Sequence, residues 1–175
     1  MSHPVLPVVY DTRSWPGRTL HALDRFVLLS LLLAVTVMVG VVSAQVALRY
    51  GFNKSFDWAD EVSRLAFVWS IFLAIPLGVR QGAHIGIDIV VAKMPLKVQV
   101  VLRRGGAWLC ATMMLVIAWA ALGVATEQWD EFMSVLDWSV GWFIVPVGVG
   151  ALLSALHLVR IAIQGPSTFA AGGAE

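Results

Sequence analysis

Residues 26–48 read FVLLSLLLAVTVMVGVVSAQVAL, 23 residues without a charge, closed by Arg25 on one side and Arg49 on the other. A hydrocarbon core about 30 Å thick is crossed by roughly 20 apolar residues of helix rising 1.5 Å each. The run is long enough to span a bilayer. Working outward, Arg64 and Arg80 enclose 15 uncharged residues, Arg104 and Glu127 enclose 22, and Asp137 and Arg160 another 22. Three runs are long enough to cross and one is short. The pattern predicts an all-α integral membrane protein with four transmembrane helices, over about 26–48, 58–80, 105–126 and 139–160.

Composition agrees. Hydrophobic residues make up 59% of the 175 residues, charged residues 13%, and the mean hydropathy is +0.82. Soluble domains carry nearer a quarter charged residues. The expected organisation is an N-terminal segment over 1–25, a four-helix membrane domain over 26–163 and a flexible tail over 164–175, with no separate soluble domain. A net charge of +1 gives no case for nucleic acid. The single cysteine, Cys110, falls in the third span, so no intrachain disulfide can form and the residue reads as packing.

Lysine and arginine set the expected orientation, because cytoplasmic loops hold their excess. Arg13, Arg18, Arg25, Arg80, Lys93, Lys97, Arg103, Arg104 and Arg160 fall on one side, and Arg49, Lys54 and Arg64 on the other. Nine against three places both termini in the cytoplasm. The connections near 49–61 and 126–138 then face outward, carrying seven acids and an aromatic belt of Trp58, Trp129, Trp138 and Trp142. Val42-Ser43-Ala44 resembles a signal-peptidase site, but the apolar run before it exceeds the 7–15 residues typical of a signal peptide. A retained first span is the reading adopted.

Between the second and third spans, about 82–104, the chain is too polar to cross. Residues 82–94 (GAHIGIDIVVAKM) suit the inner interface, and Pro95 suits the first turn of a new helix. Residues 96–104 are amphipathic and run on into span three. An amphipathic interfacial helix is therefore expected there, its last turns continuous with the third span. In span four, Gly150 with Ser154 and Ala151 with Ala155 form small-xxx-small pairs that permit close helix contact, and Pro146 is placed to bend the span early.

Span two holds the unusual chemistry. Asp57 is a suitable N-cap, and Asp60 and Glu61 lie in the first turn, where the helix dipole favours carboxylates. Pro76 removes one backbone donor within the span. Fifteen uncharged residues give about 22 Å of helix, so Arg64 or Arg80 sits near the apolar zone. Asp60 and Glu61 stand four and three residues before Arg64, within pairing reach. A charge at this depth is paired and functional, or it snorkels to the headgroups. Trp69 reads as packing, and Arg80, His84 and Asp88 recur at four-residue intervals as inner-interface anchors.

Two rival functions follow from other residues. His84 and His157 fall toward the same side on two spans and could ligate a b-type haem, which would make this a membrane anchor of a respiratory complex. His84, however, stands among Gly82, Gly86 and Asp88 at an expected helix end. An autonomous exporter would need an embedded acid or base, and Glu61, at the rim, is the one candidate. No metal-ligand spacing, nucleophile constellation or phosphate loop appears, so the chain does not read as an enzyme and no cofactor is expected.

The run Arg49…Trp58-Ala-Asp-Glu61-Val-Ser-Arg64…Trp69…Arg80-Gln-Gly-Ala-His84-Ile85-Gly-Ile-Asp88…Met94-Pro95 resembles the small permease subunit of tripartite ATP-independent periplasmic (TRAP) transporters of bacteria and archaea. The likeness covers about residues 26–163. It departs in the middle of span two, where Phe72-Leu73-Ala74-Ile75-Pro76-Leu77-Gly78 replaces a Gly-rich passage.

The resemblance implies a non-transporting scaffold in the cytoplasmic membrane. It would anchor a large, elevator-type permease subunit that holds the sodium and organic-acid sites, fed by a periplasmic substrate-binding protein. Glu61, Arg64, Trp69, Arg80, His84 and Asp88 are the expected contacts with the large subunit, Glu61 and Arg64 pairing with each other or with it. Trp129, Asp130, Glu131 and Asp137 are the expected landing surface for the binding protein, and membrane phospholipids surround the rest.

Overall fold

The computed structural model describes residues 15–80 and 95–164. Among the described residues the helices are α1 (Trp15–Phe52), α2 (Trp58–Arg80), α3 (Leu96–Glu127) and α4 (Val145–Gln164), with a 3₁₀ turn at Val140–Phe143. Each carries a stretch long and apolar enough to cross a membrane: Ala22–Phe52, Trp58–Val79, Val98–Glu127 and Val140–Ile163. The all-α, four-span expectation holds, and one isolated bridge between Phe132 and Ser139 is the sole β pairing among the described residues. The interfacial segment expected over 82–94 lies outside the described residues. Residues 96–104 form the first turns of α3, continuous with the third span as expected.

α1 starts at Trp15, well before the apolar run at 26. The helix needs only its backbone ladder, so Arg18, Asp24 and Arg25 do not interrupt it. It ends where Asn53 takes a left-handed φ of 52°, a conformation that Asn tolerates better than most residues. The Lys54 N–H then donates back to the Leu48 carbonyl at 3.3 Å.

The helices pack in the spatial order α1, α2, α4, α3. α4 lies between α2 and α3, so 39% of its apolar window is buried against 6% for α1 at the flank. Lipid is as apolar as leucine, so helices associate in a membrane through close approach of small residues. The buried faces obey this: Ala59, Ala66 and Ser70 on α2, Ala107, Ala111, Ala118 and Ala121 on α3, Ala151, Ser154 and Ala155 on α4. Cys110 joins a three-helix junction of Val79, Ala111 and Leu158, as a packing residue.

The tightest approach is at Gly150. A methyl group there would run into the carbonyl oxygen of Phe72. That carbonyl is four residues before Pro76, which has no N–H to give it. α4 therefore lays its barest position against the α2 carbonyl that Pro76 deprives of its regular donor. Pro76 and Ser154 are fully buried beside this seam, and Ser154 Oγ donates to the Gly150 carbonyl at 2.7 Å. Span four is not one helix: the 3₁₀ turn precedes it, and Pro146 stands in the first turn of α4, where no N–H donor is required.

Gly150→Ala is expected to destabilise the folded chain by about 1–3 kcal/mol through overpacking against backbone. Gly148→Ala, whose new methyl would meet the Ala121 Cβ at 3.6 Å, an ordinary contact, is expected to be neutral. Thermal unfolding of the two variants in the same detergent separates them.

Candidate functional site

The connections 53–57 and 128–139 lie at one end of the slab, here called the loop end; the starts of α1 and α3 and the end of α4 lie at the other. Sequence reasoning divided the candidate residues into two sets, contacts on span two and a landing surface on the second loop. The structure ties the two sets together at the loop end.

The tie is Glu61. It sits in the first turn of α2, half-buried, and both of its carboxylate oxygens accept backbone hydrogen bonds from the 128–139 loop. The Val135 N–H donates to Oε1 at 3.0 Å and the Leu136 N–H to Oε2 at 2.8 Å. Hydrogen bonds to an ionised acceptor are stronger than neutral ones, and here two converge on one group. The loop also holds itself: Met133 N–H donates to the Trp138 carbonyl at 2.9 Å and Val140 N–H to the Glu131 carbonyl at 2.8 Å. Ser139 Oγ accepts from the Gly141 N–H at 3.0 Å and so starts the 3₁₀ turn.

A second tie is aromatic. The Trp69 indole N–H of α2 donates to the Trp142 carbonyl at 3.2 Å. The Trp142 ring lies 6.5 Å from that of Trp69 and 6.1 Å from that of Trp129, both tilted. Such pairs add about 0.5–1.5 kcal/mol beyond their buried area. Gly141 makes room for this row, since a methyl there would stand 2.7 Å from Trp129 Cε3. Trp69, expected as packing or partner contact, is thus the link between α2 and the start of span four.

Arg64 is exposed on α2, and among the described residues no ion pair joins it to Glu61. The acid reaches instead for backbone donors more than seventy residues away in sequence. Asp60, the other acid near Arg64, accepts from Gln45 Nε2 of α1 at 3.1 Å. Trp129, Asp130, Glu131 and Asp137 are all exposed on the loop, and Phe132, Val135 and Trp138 are exposed beside them. Arg80 is the last residue of α2, while His84 and Asp88 lie outside the described residues.

At the other end, sequence reasoning missed a pair. His157 Nε2 of α4 lies 3.1 Å from Asp24 Oδ1 of α1, with 2% and 3% of the side chains exposed. The signal was faint: His157 is a lone polar residue toward the end of an apolar run, and Asp24 stands beside Arg25, just before another. Nε2, a nitrogen through which His157 could take an iron, faces the Asp24 carboxylate instead, and the other histidine of the haem reading, His84, lies outside the described residues.

The comparisons with known proteins agree with this architecture. The family model of the tripartite ATP-independent periplasmic transporters, DctQ component, matches residues 38–166. The chain belongs to that family. It is 28% identical over 130 residues to a putative TRAP transporter small permease protein of Haemophilus influenzae, covering 69% of this chain and 76% of that protein. It is 33% identical over 118 residues to the C4-dicarboxylate TRAP transporter small permease protein DctQ of Pseudomonas aeruginosa, covering 62% of this chain and 53% of that one. The chain thus spans about half the length of this DctQ relative. A 60-residue stretch is 33% identical to the sialic acid TRAP transporter permease protein SiaT of Haemophilus influenzae, covering 34% of this chain and 10% of that protein. Membership of this transporter family fits the four apolar helices of a multi-pass membrane protein, and the relatives it matches are transporter subunits.

Two outcomes test the ties. Glu61→Gln offers one carbonyl oxygen where two are used, and its NH₂ would face the second donor, so a loss of about 1–3 kcal/mol is expected. Hydrogen exchange at 131–139 is expected to quicken in that variant, while exchange in α3 stays as in the parent. Asp24→Ala strands a buried imidazole and is expected to cost about 3–5 kcal/mol in thermal unfolding, with Asp24→Asn, which keeps shape and an acceptor, costing less.

Proposed function

We propose that this chain is the non-transporting scaffold subunit of a binding-protein-dependent, sodium-coupled transporter of organic acids, anchoring a large elevator-type permease subunit. The observation that carries the reading is the place of the family segment in longer relatives. The matched region makes up 10% of the permease protein SiaT and 16% of the isethionate TRAP transporter permease protein DctMQ of Oleidesulfovibrio alaskensis. A segment like this chain thus occurs within a much longer permease polypeptide, which supports a large partner for the separate chain. The relatives' names refer to a C4-dicarboxylate, sialic acid and isethionate, which supports an organic acid as the cargo.

The chain's own chemistry favours a supporting role. Three acids of the described spans are engaged within the fold, Glu61 on the loop, Asp60 on Gln45 and Asp24 on His157, while Glu127 stands exposed at the loop end of α3. Those contacts hold helices together and leave little for coupling an ion at the midplane, so sodium is assigned to the partner. The flanks are built to be covered, since α1 and α3 bury only 6% and 17% of their apolar windows within the chain. Arg64, together with Arg80, His84 and Asp88, is assigned to the contact with the large subunit. The exposed acids Asp130, Glu131 and Asp137, with Trp129, are assigned to the encounter with the binding protein, where charge complementarity chiefly sets the rate. Both termini are assigned to the cytoplasm by the lysine and arginine bias, which places the loop end in the periplasm.

The test is reconstitution. The chain is expected to copurify one-to-one with a much larger multi-span partner and to give no sodium-driven uptake in liposomes alone; uptake by the isolated chain overturns the proposal. Arg64→Ala is expected to weaken copurification and Arg64→Lys to restore it in part, because lysine lacks the forked donor geometry.

A further inference from the structure

We propose that the cleft between the end of α1 and the start of α2 is a headgroup site for a zwitterionic aminophospholipid, with the phosphate held by Arg49 and Lys54 and the primary ammonium by Asp57 and Asp60. The cleft encloses about 280 Å³, and Gln45 and Phe56 complete its wall. Neither the scaffold role nor transport enters the argument.

The first ground is charge of both signs without an ion pair. Two cations and two carboxylates line one small cleft, yet among the described residues no ion pair joins them. Asp60 is held by Gln45 Nε2 at 3.1 Å, which fixes one carboxylate against the α1 wall. The left-handed Asn53 and the return bond from the Lys54 N–H to the Leu48 carbonyl fix the turn that carries the lysine. Charges of both signs lining one cleft, Arg49 on α1, Lys54 and Asp57 on the connection and Asp60 on α2, suit a ligand that carries both signs on one short chain. An anion alone would meet the carboxylates, and a cation alone the guanidinium.

The second ground is depth. Phe56 and Trp58 stack at 5.3 Å beside the cleft, and Tyr50 and Phe52 are 85% and 73% exposed at the same level. Amphipathic aromatic rings at helix ends mark the headgroup region. Below Arg49, Val46, Val42, Val39 and Val35 follow at helical spacing, and all four are exposed. A lipid whose headgroup fills the cleft has a ready apolar track for its acyl chains along α1. That continuity favours a lipid over a soluble phosphate compound or a peptide.

The ammonium half makes the prediction sharp. A primary ammonium offers three N–H donors to carboxylates, while the trimethylated choline headgroup offers none. The full chain is exchanged into bilayer discs holding equal phosphatidylethanolamine, phosphatidylcholine and phosphatidylglycerol, and retained lipid is counted by native mass spectrometry. Phosphatidylethanolamine is expected to exceed phosphatidylcholine about tenfold, as one charge-assisted hydrogen bond would give. Arg49→Gln with Lys54→Gln is expected to lower retained phosphatidylethanolamine about tenfold. Asp57→Asn is expected to bring the ethanolamine-to-choline ratio toward one while lipid is still retained. Equal retention of ethanolamine and choline lipids by the parent overturns the proposal. So does preferential retention of phosphatidylglycerol, which would mark plain attraction of an anionic lipid, or a double variant that keeps ethanolamine lipid like the parent. The ratio in the parent chain decides the matter even if a variant fails to fold.

Discussion

α4 can lie at the centre of this protein because Gly150 meets the Phe72 carbonyl at the place where Pro76 has removed the regular helical donor. In water, burial of apolar surface would press the helices together at about 25 cal/mol per Å². In hydrocarbon that drive is gone, and contact must come from close approach and from polar groups with nowhere else to go. Glycine brings the α4 backbone close enough for a weak Cα–H contact with the freed carbonyl. The alanine and serine rows on the same faces extend the seam toward both ends.

Polar ties then fix what the seam leaves free. At the loop end Glu61 and Trp69 hold the second loop and the 3₁₀ turn to α2, and Gln45 joins Asp60 across α1 and α2. At the other end Asp24 and His157 join α1 to α4. α1 otherwise packs on α2, so this pair gives the flank helix a polar tie to the central one. Each tie is a polar group taken from water and given a partner inside the chain. A missing partner in a medium without water would cost far more than in a soluble core.

The four spans were legible because a bilayer leaves sequence little freedom. Uncharged runs of 22 or 23 residues bounded by arginine or acid have few other readings. The small-residue pairs of span four were legible for the same reason, since close packing in lipid has a narrow vocabulary. The start of α1 was not legible: a helix continues past Arg25 and Asp24 once its backbone bonds are made, and hydropathy does not record that. Nor was the partner of Glu61. Neighbour rules along one helix pointed to Arg64, three residues on. The donors that bind it are two consecutive N–H groups of a loop, and backbone donors leave no mark in side-chain patterns. The pair of Asp24 and His157 left a faint mark, a histidine within one apolar run and an acid just before another, and only the three-dimensional structure shows that they meet.

These ties bear on how the loop end would answer a partner. Exposed acids and tryptophans on a free loop would move independently of the helices below. Here the loop's backbone is bonded to the first turn of α2, and its tryptophan row continues through Trp142 to Trp69. α2 in turn is locked to α4 at Gly150. A force applied to Asp130 or Trp129 is therefore carried by α2 and α4 together, through two hydrogen bonds to one carboxylate. Rigid positioning of this kind lowers the ordering entropy that an interface must overcome, which suits a surface that meets a soluble protein again and again. It also separates the roles of Glu61 and Arg64. One turn apart on the same helix, the acid is engaged within the chain and the arginine is exposed.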